Sequence, residues 1–375
     1  MRIDTVLLKV ASRCNLNCSY CYVYNMGDVT WRDKPKLMSS KTQAAVAIQL
    51  KRLVESQSAP FAVVLHGGEP LMLGPQRLES LFETLRQSLP TDCSLNVQTN
   101  GALLSPAILD VCNRFGVTIS VSLDGPAHVH DKHRVDLRGN PTHSAVVAGV
   151  QALRSHPSGQ SMFSGVLAVV DPASSPDEVY QYFKDLGAPS IDFLYRDGNW
   201  DTLPSGKKRA DTSEYGDWMS RILDLYCSDP QPPRIRFLDD LIKLVAGGAG
   251  TKEGMGITDF GIVVIDTDGT ITKNDTLKST PLGDRFDKEW SVHTSDLAEV
   301  VRSSDFANYH AAQRPTSAIC STCEELSICG GGMVTHRYST KCGYDNPTVF
   351  CTDQRKLISR IRRRLAAHLA RRTAA

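Results

Sequence analysis

Three cysteines stand within eight residues, as Cys14-x3-Cys18-x2-Cys21, directly after the apolar run from Ile3 to Val10. Three thiolates in one loop can hold three irons of a [4Fe–4S] cube and leave the fourth iron without a protein ligand. An iron left open in this way is a place for a small molecule to bind and react. The other readings are three packing cysteines or a zinc loop. Zinc loops usually come as paired Cys-x2-Cys knuckles, which this spacing is not.

Further down the chain, polar residues follow apolar runs. His66-Gly67-Gly68-Glu69-Pro70 places a carboxylate after two glycines. Glycines let backbone approach a ligand closely, and Glu69 could accept from an ammonium group; alone, the segment also reads as a tight turn. Gln98-Thr99-Asn100-Gly101 is a polar turn after another run, and Ser122 and Asp124 end a fourth. Arg134 could clamp a carboxylate with its planar fork, or make a surface ion pair. His128, His130 and His133 lack an obvious set of co-ligands and read as solvated loop positions.

A second group, Cys320-x2-Cys323-x5-Cys329 with Cys351 22 residues later, lies near the C-terminus. Four thiolates suit either an iron–sulfur cluster or zinc. Cys342 is a fifth thiol with no assigned role, and Cys93, Cys112 and Cys227 read as buried packing residues.

The elements that must position these groups alternate. Strand-like runs cover 3–10, 61–66, 94–99, 117–123, 163–170 and 191–195, and helical patterns fill 40–56, 75–89, 106–115, 144–155 and 176–186. Most of the helices open on a Ser, Pro or Asp start signal. Near-continuous apolar strands alternating with helices imply parallel strands covered on their outer face. Six such units are two short of a closed eight-unit barrel, and the polar motifs fall at strand C-terminal ends, where barrels of this kind place active residues. Residues 197–234 read as a linker with one helix at 212–226; helices follow at 237–246 and 352–372, the last rich in arginine. The expected domains are a barrel over 1–230 and a cysteine-bearing domain over 231–375.

Composition sets outer limits. A net charge of +1 gives no electrostatic case for a nucleic-acid partner. There is no 18-residue apolar run, so no membrane span is expected. The N-terminus lacks a signal peptide's apolar core and cleavage site. The expectation is a cytoplasmic chain, whose 11 cysteines read as metal ligands and free thiols rather than disulfides.

With Tyr20 just before its third cysteine, the N-terminal motif resembles that of the radical S-adenosylmethionine (SAM) superfamily. That resemblance implies a partial (β/α)6 TIM-type barrel, in which a [4Fe–4S] cluster on Cys14, Cys18 and Cys21 binds SAM and generates a 5′-deoxyadenosyl radical. It also implies SAM contacts from Gly67, Gly68 and Glu69, with Thr99 and Asn100 nearby, Ser122 touching SAM and Arg134 pairing with its carboxylate. The second cysteine group resembles the second auxiliary cluster of SPASM domains, which implies one auxiliary [4Fe–4S] cluster on Cys320, Cys323, Cys329 and Cys351. Two positions where SPASM domains carry cysteines for a first auxiliary cluster hold Asn274 and Met333, so one auxiliary cluster is expected, not two.

The segments 275–278, 330–333, 336–339 and 343–347 resemble the maturase branch that includes the FxsB, XyeB and GrrM types. Such enzymes act on ribosomally made precursor peptides, and several join an aromatic ring to the β-carbon of a residue two positions on, giving a three-residue cyclophane. That reaction needs a positioned β-hydrogen, a base and an electron acceptor. By resemblance Asp275 is the candidate base, with Asp345 and His336 weaker ones, and the auxiliary cluster is the candidate acceptor. Alternatives are formylglycine-type oxidation of Ser or Cys and a different crosslink such as an ether. An electron donor such as flavodoxin or ferredoxin is implied. With 13 residues before Cys14, the leader peptide is expected to bind the barrel and C-terminal domain or another chain, one mode being an added strand at a sheet edge.

Overall fold

The computed structural model describes residues 1–258, 260–281 and 283–373. The six expected strands form as β1 Thr5–Ala11, β2 Ala62–Gly67, β3 Leu95–Thr99, β4 Val117–Ser122, β5 Phe163–Val169 and β6 Ile191–Leu194. Helices Ser40–Gln57, Gly74–Ser88, Pro106–Arg114, His143–Ser155 and Pro176–Leu186 connect them. Local chemistry sets the helix ends. Ser39 and Ser175 accept the backbone N–H of Thr42 and Glu178 as N-caps, and Pro176 occupies a first-turn position where its missing N–H costs nothing. Gly187, at φ 64°, closes the second of these helices.

By contact, the chain divides into two compact units that interleave in sequence. The first comprises 1–123, 127–167 and 260–310; the second comprises 124–126, 168–259 and 311–375. The division into modules 1–230 and 231–375 remains a proposal about the chain's organisation.

In the first unit, β1 to β5 pair in parallel, each with the next. Val6, Leu8 and Val10 of β1 are completely buried. The sequence reading missed three strands after residue 260. β7, Ile262–Ile265, pairs in parallel with β1 through Val6–Val263 and Leu8–Ile265. β8, Thr270–Thr272, and β9, Trp290–Ser291, add antiparallel beyond it. All four residues of β7 are buried, as expected for a strand inside a sheet.

In the second unit the Val170 N–H donates to the Leu194 carbonyl at 2.9 Å. Residues 197–234 are not a loose linker here. Tyr215 and Trp218 on the helix Glu214–Ser228 are buried, and the Trp200 indole N–H donates to the Pro347 carbonyl. The last helix, Cys351–Thr373, buries Leu357, Ile358 and Ile361, while Arg360 and Arg364 pair with Asp224 and Arg362 with Glu325. Its arginines are therefore partly spent on docking the helix within its own unit. Cys93 and Cys112 are buried as expected, but Cys227 is exposed, because it sits in the last turn of its helix.

Candidate active site

The N-terminal cysteine loop leaves β1 and is pinned on two sides. The Gly68 and Glu69 N–H groups donate to the carbonyls of Ala11 and Arg13. On the other side, the Asn17 and Ser19 N–H groups donate to the carbonyls of Val135 and His133. A Cβ at Gly67 would lie 2.1 Å from the Ala11 carbonyl oxygen, and one at Gly68 would lie 2.1 Å from that of Arg13 and 2.2 Å from the Tyr24 hydroxyl. The two glycines are thus required by the approach of the loop itself, a nearer reason than the approach to a ligand expected from sequence.

Around the loop, Asn100 Nδ2 lies 3.7 Å from Cys14 Sγ and donates to Asn15 at 2.8 Å. Arg134 Nη1 lies 3.9 Å from Cys18 Sγ, and its guanidinium sits 5.4 Å from the centre of the Tyr20 ring. The expected residues Tyr20, Asn100 and Arg134 therefore meet at the cysteines. His133 bonds Ser19 Oγ at 2.8 Å, while His130 is completely buried and bonds Thr142 Oγ1, so it is not the solvated position expected. Ser122 accepts from Gln98 Nε2 at 2.9 Å at the end of β4.

Glu69 is buried and already well satisfied. Oε1 accepts from the Leu71 N–H and from Thr99 Oγ1, and Oε2 accepts from the Asn100 N–H at 2.8 Å. Burial outweighs these three bonds and pushes the carboxyl up to about 7. Burial also pushes Cys14 up to about 12 and Cys21 to about 11. A coordinating metal deprotonates such thiols outright. Three thiols with no carboxylate or imidazole among them are a soft donor set, which fits a cluster with one open iron.

A second polar group lies deeper in the same unit. Lys9 Nζ on β1 sits 3.2 and 3.1 Å from the two oxygens of Asp275 and 4.0 Å from Asp266, all three side chains being buried. His66 is the β2 partner of Lys9 in the parallel register. Burial holds its imidazole below the usual range, and its Nδ1 is buried without a hydrogen-bond partner among the described residues. The Tyr24 hydroxyl donates to the Ser12 carbonyl beside the cysteine loop. Burial raises its phenol first, and the thiols of Cys14 and Cys21 and the carboxylate of Asp275 act on it as well. Sequence reading assigned no role to Lys9, His66 or Tyr24. A lysine in the otherwise apolar run Thr5 to Val10 was the available signal, because a buried ammonium demands a carboxylate.

In the second unit, Cys320, Cys323, Cys329 and Cys351 line one pocket with Thr348 and Arg355. Burial pushes Cys329 up to about 12, and the other three thiols act on it electrostatically. Among the described residues no three His, Cys, Asp or Glu side chains converge on a point as ligands of a single ion would. Four thiols around one pocket are a soft donor set that fits a [4Fe–4S] cluster. The two positions of the missing first auxiliary set have other work. Asn274 Oδ1 accepts the Thr276 N–H, and Met333 packs so tightly on Gly254 that a Cβ there would lie 2.8 Å from its sulfur. Cys342 is exposed, His336 stands 3.5 Å from Asp197, and Asp345 accepts from Thr316 Oγ1.

This is the architecture of an enzyme with a radical SAM domain: the pattern of the radical SAM superfamily matches residues 8–186. That domain uses SAM and a [4Fe–4S] cluster. Among characterised relatives, the chain is 23% identical over 342 residues to the cysteine-type anaerobic sulfatase-maturating enzyme of Clostridium perfringens, covering 88% of each. It is 24% identical to the serine-type enzyme of Bacteroides thetaiotaomicron, covering 88% of this chain and 82% of that one. Among solved structures, anSMEcpe with bound AdoMet superposes with a TM-score of 0.83 at 20% identity, over 97% of this chain and 98% of that one. SuiB of Streptococcus suis superposes at 0.64 and 12% identity, over 92% and 76%. The fold is thus the expected partial (β/α)6 barrel with a C-terminal auxiliary domain of SPASM type. No helix among the described residues is long and apolar enough to cross a membrane.

Proposed function

We propose that the protein is a maturase of a ribosomally synthesised precursor peptide, and that it joins an aromatic ring to a side-chain β-carbon. The observation that carries this reading is Asp275: a buried carboxylate in the same unit as the cysteine loop, bonded through both oxygens to Lys9 of β1, the strand from which that loop leaves. Peptide substrates are supported by similar proteins, since anSMEcpe binds the Cp18Cys peptide and SuiB the precursor peptide SuiA.

When bound to Cys14, Cys18 and Cys21, the cluster with SAM supplies a carbon radical able to take a hydrogen atom from the peptide. Glu69 accepts from the methionyl amine of SAM with the oxygen position left free on Oε2. Gly67 and Gly68 let the cysteine loop close down on this end of the sheet, and Arg134 presents its fork to the methionyl carboxylate. Thr99 and Asn100 hold Glu69 in place, and Ser122 stands at the end of β4 as a SAM contact. After the ring has been attacked, one proton and one electron must leave for aromaticity to return. Asp275 Oδ takes the proton, with the Lys9 ammonium orienting the carboxylate through bonds to both of its oxygens. Cys320, Cys323, Cys329 and Cys351 would hold an auxiliary [4Fe–4S] cluster, which would supply an electron acceptor, and a flavodoxin- or ferredoxin-like protein would supply the reducing electron.

Formylglycine formation is the second reading, favoured by the likeness to two sulfatase-maturating enzymes along most of the chain. It shares the β-hydrogen abstraction, the base and the electron acceptor; the missing cysteines at 274 and 333 count against it. Mass spectrometry of a peptide treated with reconstituted enzyme separates the two. A crosslink removes two hydrogens and leaves every heteroatom in place, whereas formylglycine gives a hydrazide-reactive aldehyde.

A further inference from the structure

Arg337 is the largest fully buried side chain among the described residues, at 1% exposure. Its Nη2 donates to the carbonyls of Ala312 and Gln313 at 2.6 and 3.2 Å, and its Nε is buried without a hydrogen-bond partner. Two other buried cations of the same unit have carboxylates: Lys207 lies 2.5 Å from Asp353, and Arg196 lies 3.7 Å from Asp171. No ion pair among the described residues includes Arg337. Two neutral carbonyls do not neutralise a buried cation, and an uncompensated charge in the interior is strongly unfavourable. The compensating charge must therefore come from something else nearby. The groups that act electrostatically on Arg337 are the thiols of Cys320 and Cys329, with Tyr344 a smaller third. As thiols these carry no charge; as cluster ligands they do.

We infer that Arg337 is the counter-cation of an iron–sulfur cluster held by Cys320, Cys323, Cys329 and Cys351, and that its charge raises that cluster's reduction potential. A four-thiolate cube is anionic and becomes more so by one unit on taking up one electron. A buried, fixed positive charge stabilises the more anionic state more, so it favours reduction. This makes Arg337 a positioning and tuning residue: it touches no substrate, and it biases the cluster toward accepting an electron. The inference rests on the second cysteine set holding a cluster, which iron counting tests separately.

The experiment is a potentiometric titration, followed by electron paramagnetic resonance, of full-length enzyme reconstituted anaerobically. Arg337→Gln should load about eight irons per chain, as wild type does with two cubes, and move the SAM-insensitive midpoint to a more negative potential. Arg337→Lys, which keeps the charge, should keep the wild-type midpoint. An unmoved midpoint in iron-replete Arg337→Gln overturns the inference about Arg337 and leaves the cluster standing. If wild type holds only about four irons, the cluster assignment itself fails. If Arg337→Gln loads no second cluster, the lysine variant decides. A loaded cluster with an unshifted midpoint supports the role of charge. Failure of the lysine variant as well assigns Arg337 to holding the Ala312 and Gln313 carbonyls and overturns the inference.

Discussion

Lys9 and Asp275 are 266 residues apart in sequence, yet the lysine ammonium bonds both oxygens of the carboxylate, at 3.2 and 3.1 Å, with both side chains buried. The pair ties β1, which launches the cysteine loop, to the turn that follows β8. Removing one member of a buried ion pair leaves the other uncompensated and costs about 3–5 kcal/mol. Lys9→Met should therefore lower the melting temperature sharply, and Lys9→Met with Asp275→Asn should recover part of the loss. A double-mutant cycle in thermal unfolding checks this; additive losses would mean the two side chains do not act as a pair.

Asp275→Asn tests the base assignment. Peptide crosslinking should fall about a hundredfold or more, while 5′-deoxyadenosine production from SAM continues, because hydrogen abstraction precedes the proton loss. Measuring both products in one anaerobic assay separates the steps. Parallel loss of nucleoside and crosslink would remove Asp275 from the role of base.

Glu69 predicts a pH dependence. Its two oxygens already accept three bonds, so an added proton occupies the remaining position on Oε2 and turns an acceptor into a donor. A carboxyl held up to about 7 by burial binds the SAM amine only after losing that proton. Affinity is therefore present above this value and lost as pH falls through it, about tenfold between pH 8 and pH 6. Isothermal titration of SAM into reconstituted enzyme reads this directly. Glu69→Gln should bind more weakly and show a shallower pH profile; an equally steep profile would assign the dependence to another group.

Gly68→Ala tests how the loop is built. The new methyl would collide with the Arg13 carbonyl oxygen and the Tyr24 hydroxyl, and backbone cannot give way cheaply. The N-terminal cluster should be lost while the auxiliary one stays, so iron should drop from about eight to about four per chain. A fully loaded variant would show that the loop tolerates the methyl.

Cys342 and Cys227 are exposed, while Cys93 and Cys112 are buried. Cys342→Ser should keep the full iron content, and Cys351→Ala should lose the auxiliary cluster alone. Iron and sulfide analysis of the two variants distinguishes ligand from bystander; loss of iron in Cys342→Ser would make it a ligand.

Much of the first unit was legible in the sequence because its strands are short apolar runs between strongly signalled helices. Ser39, Ser175 and Pro176 mark the helix starts that the structure shows. The cysteine motif and the polar segments with Glu69, Thr99 and Asn100 were legible because each follows a strand in a distinctive local pattern, whereas Arg134, separated from β4 by the short helix Ala127–His130, was singled out by resemblance. What escaped was long-range. β7 is only four residues long, and its pairing with β1 spans more than 250 positions, which no local period reveals. The Lys9–Asp275 pair hid for the same reason. His130 and Cys227 were misplaced because helix boundaries decide which face meets solvent, and the short helix Ala127–His130 carries little signal of its own. The interleaving of the two units likewise follows from contacts that composition does not record.

The central claim is an open iron at the N-terminal cysteine loop that takes SAM as its ligand, and the most direct measurement is the paramagnetic resonance spectrum of reduced, reconstituted enzyme with and without SAM, followed by assay for 5′-deoxyadenosine. The expected result is a changed signal from one of two clusters and release of the nucleoside, both abolished by Cys14→Ala. A spectrum indifferent to SAM, with no nucleoside formed by fully iron-loaded protein, would contradict the account.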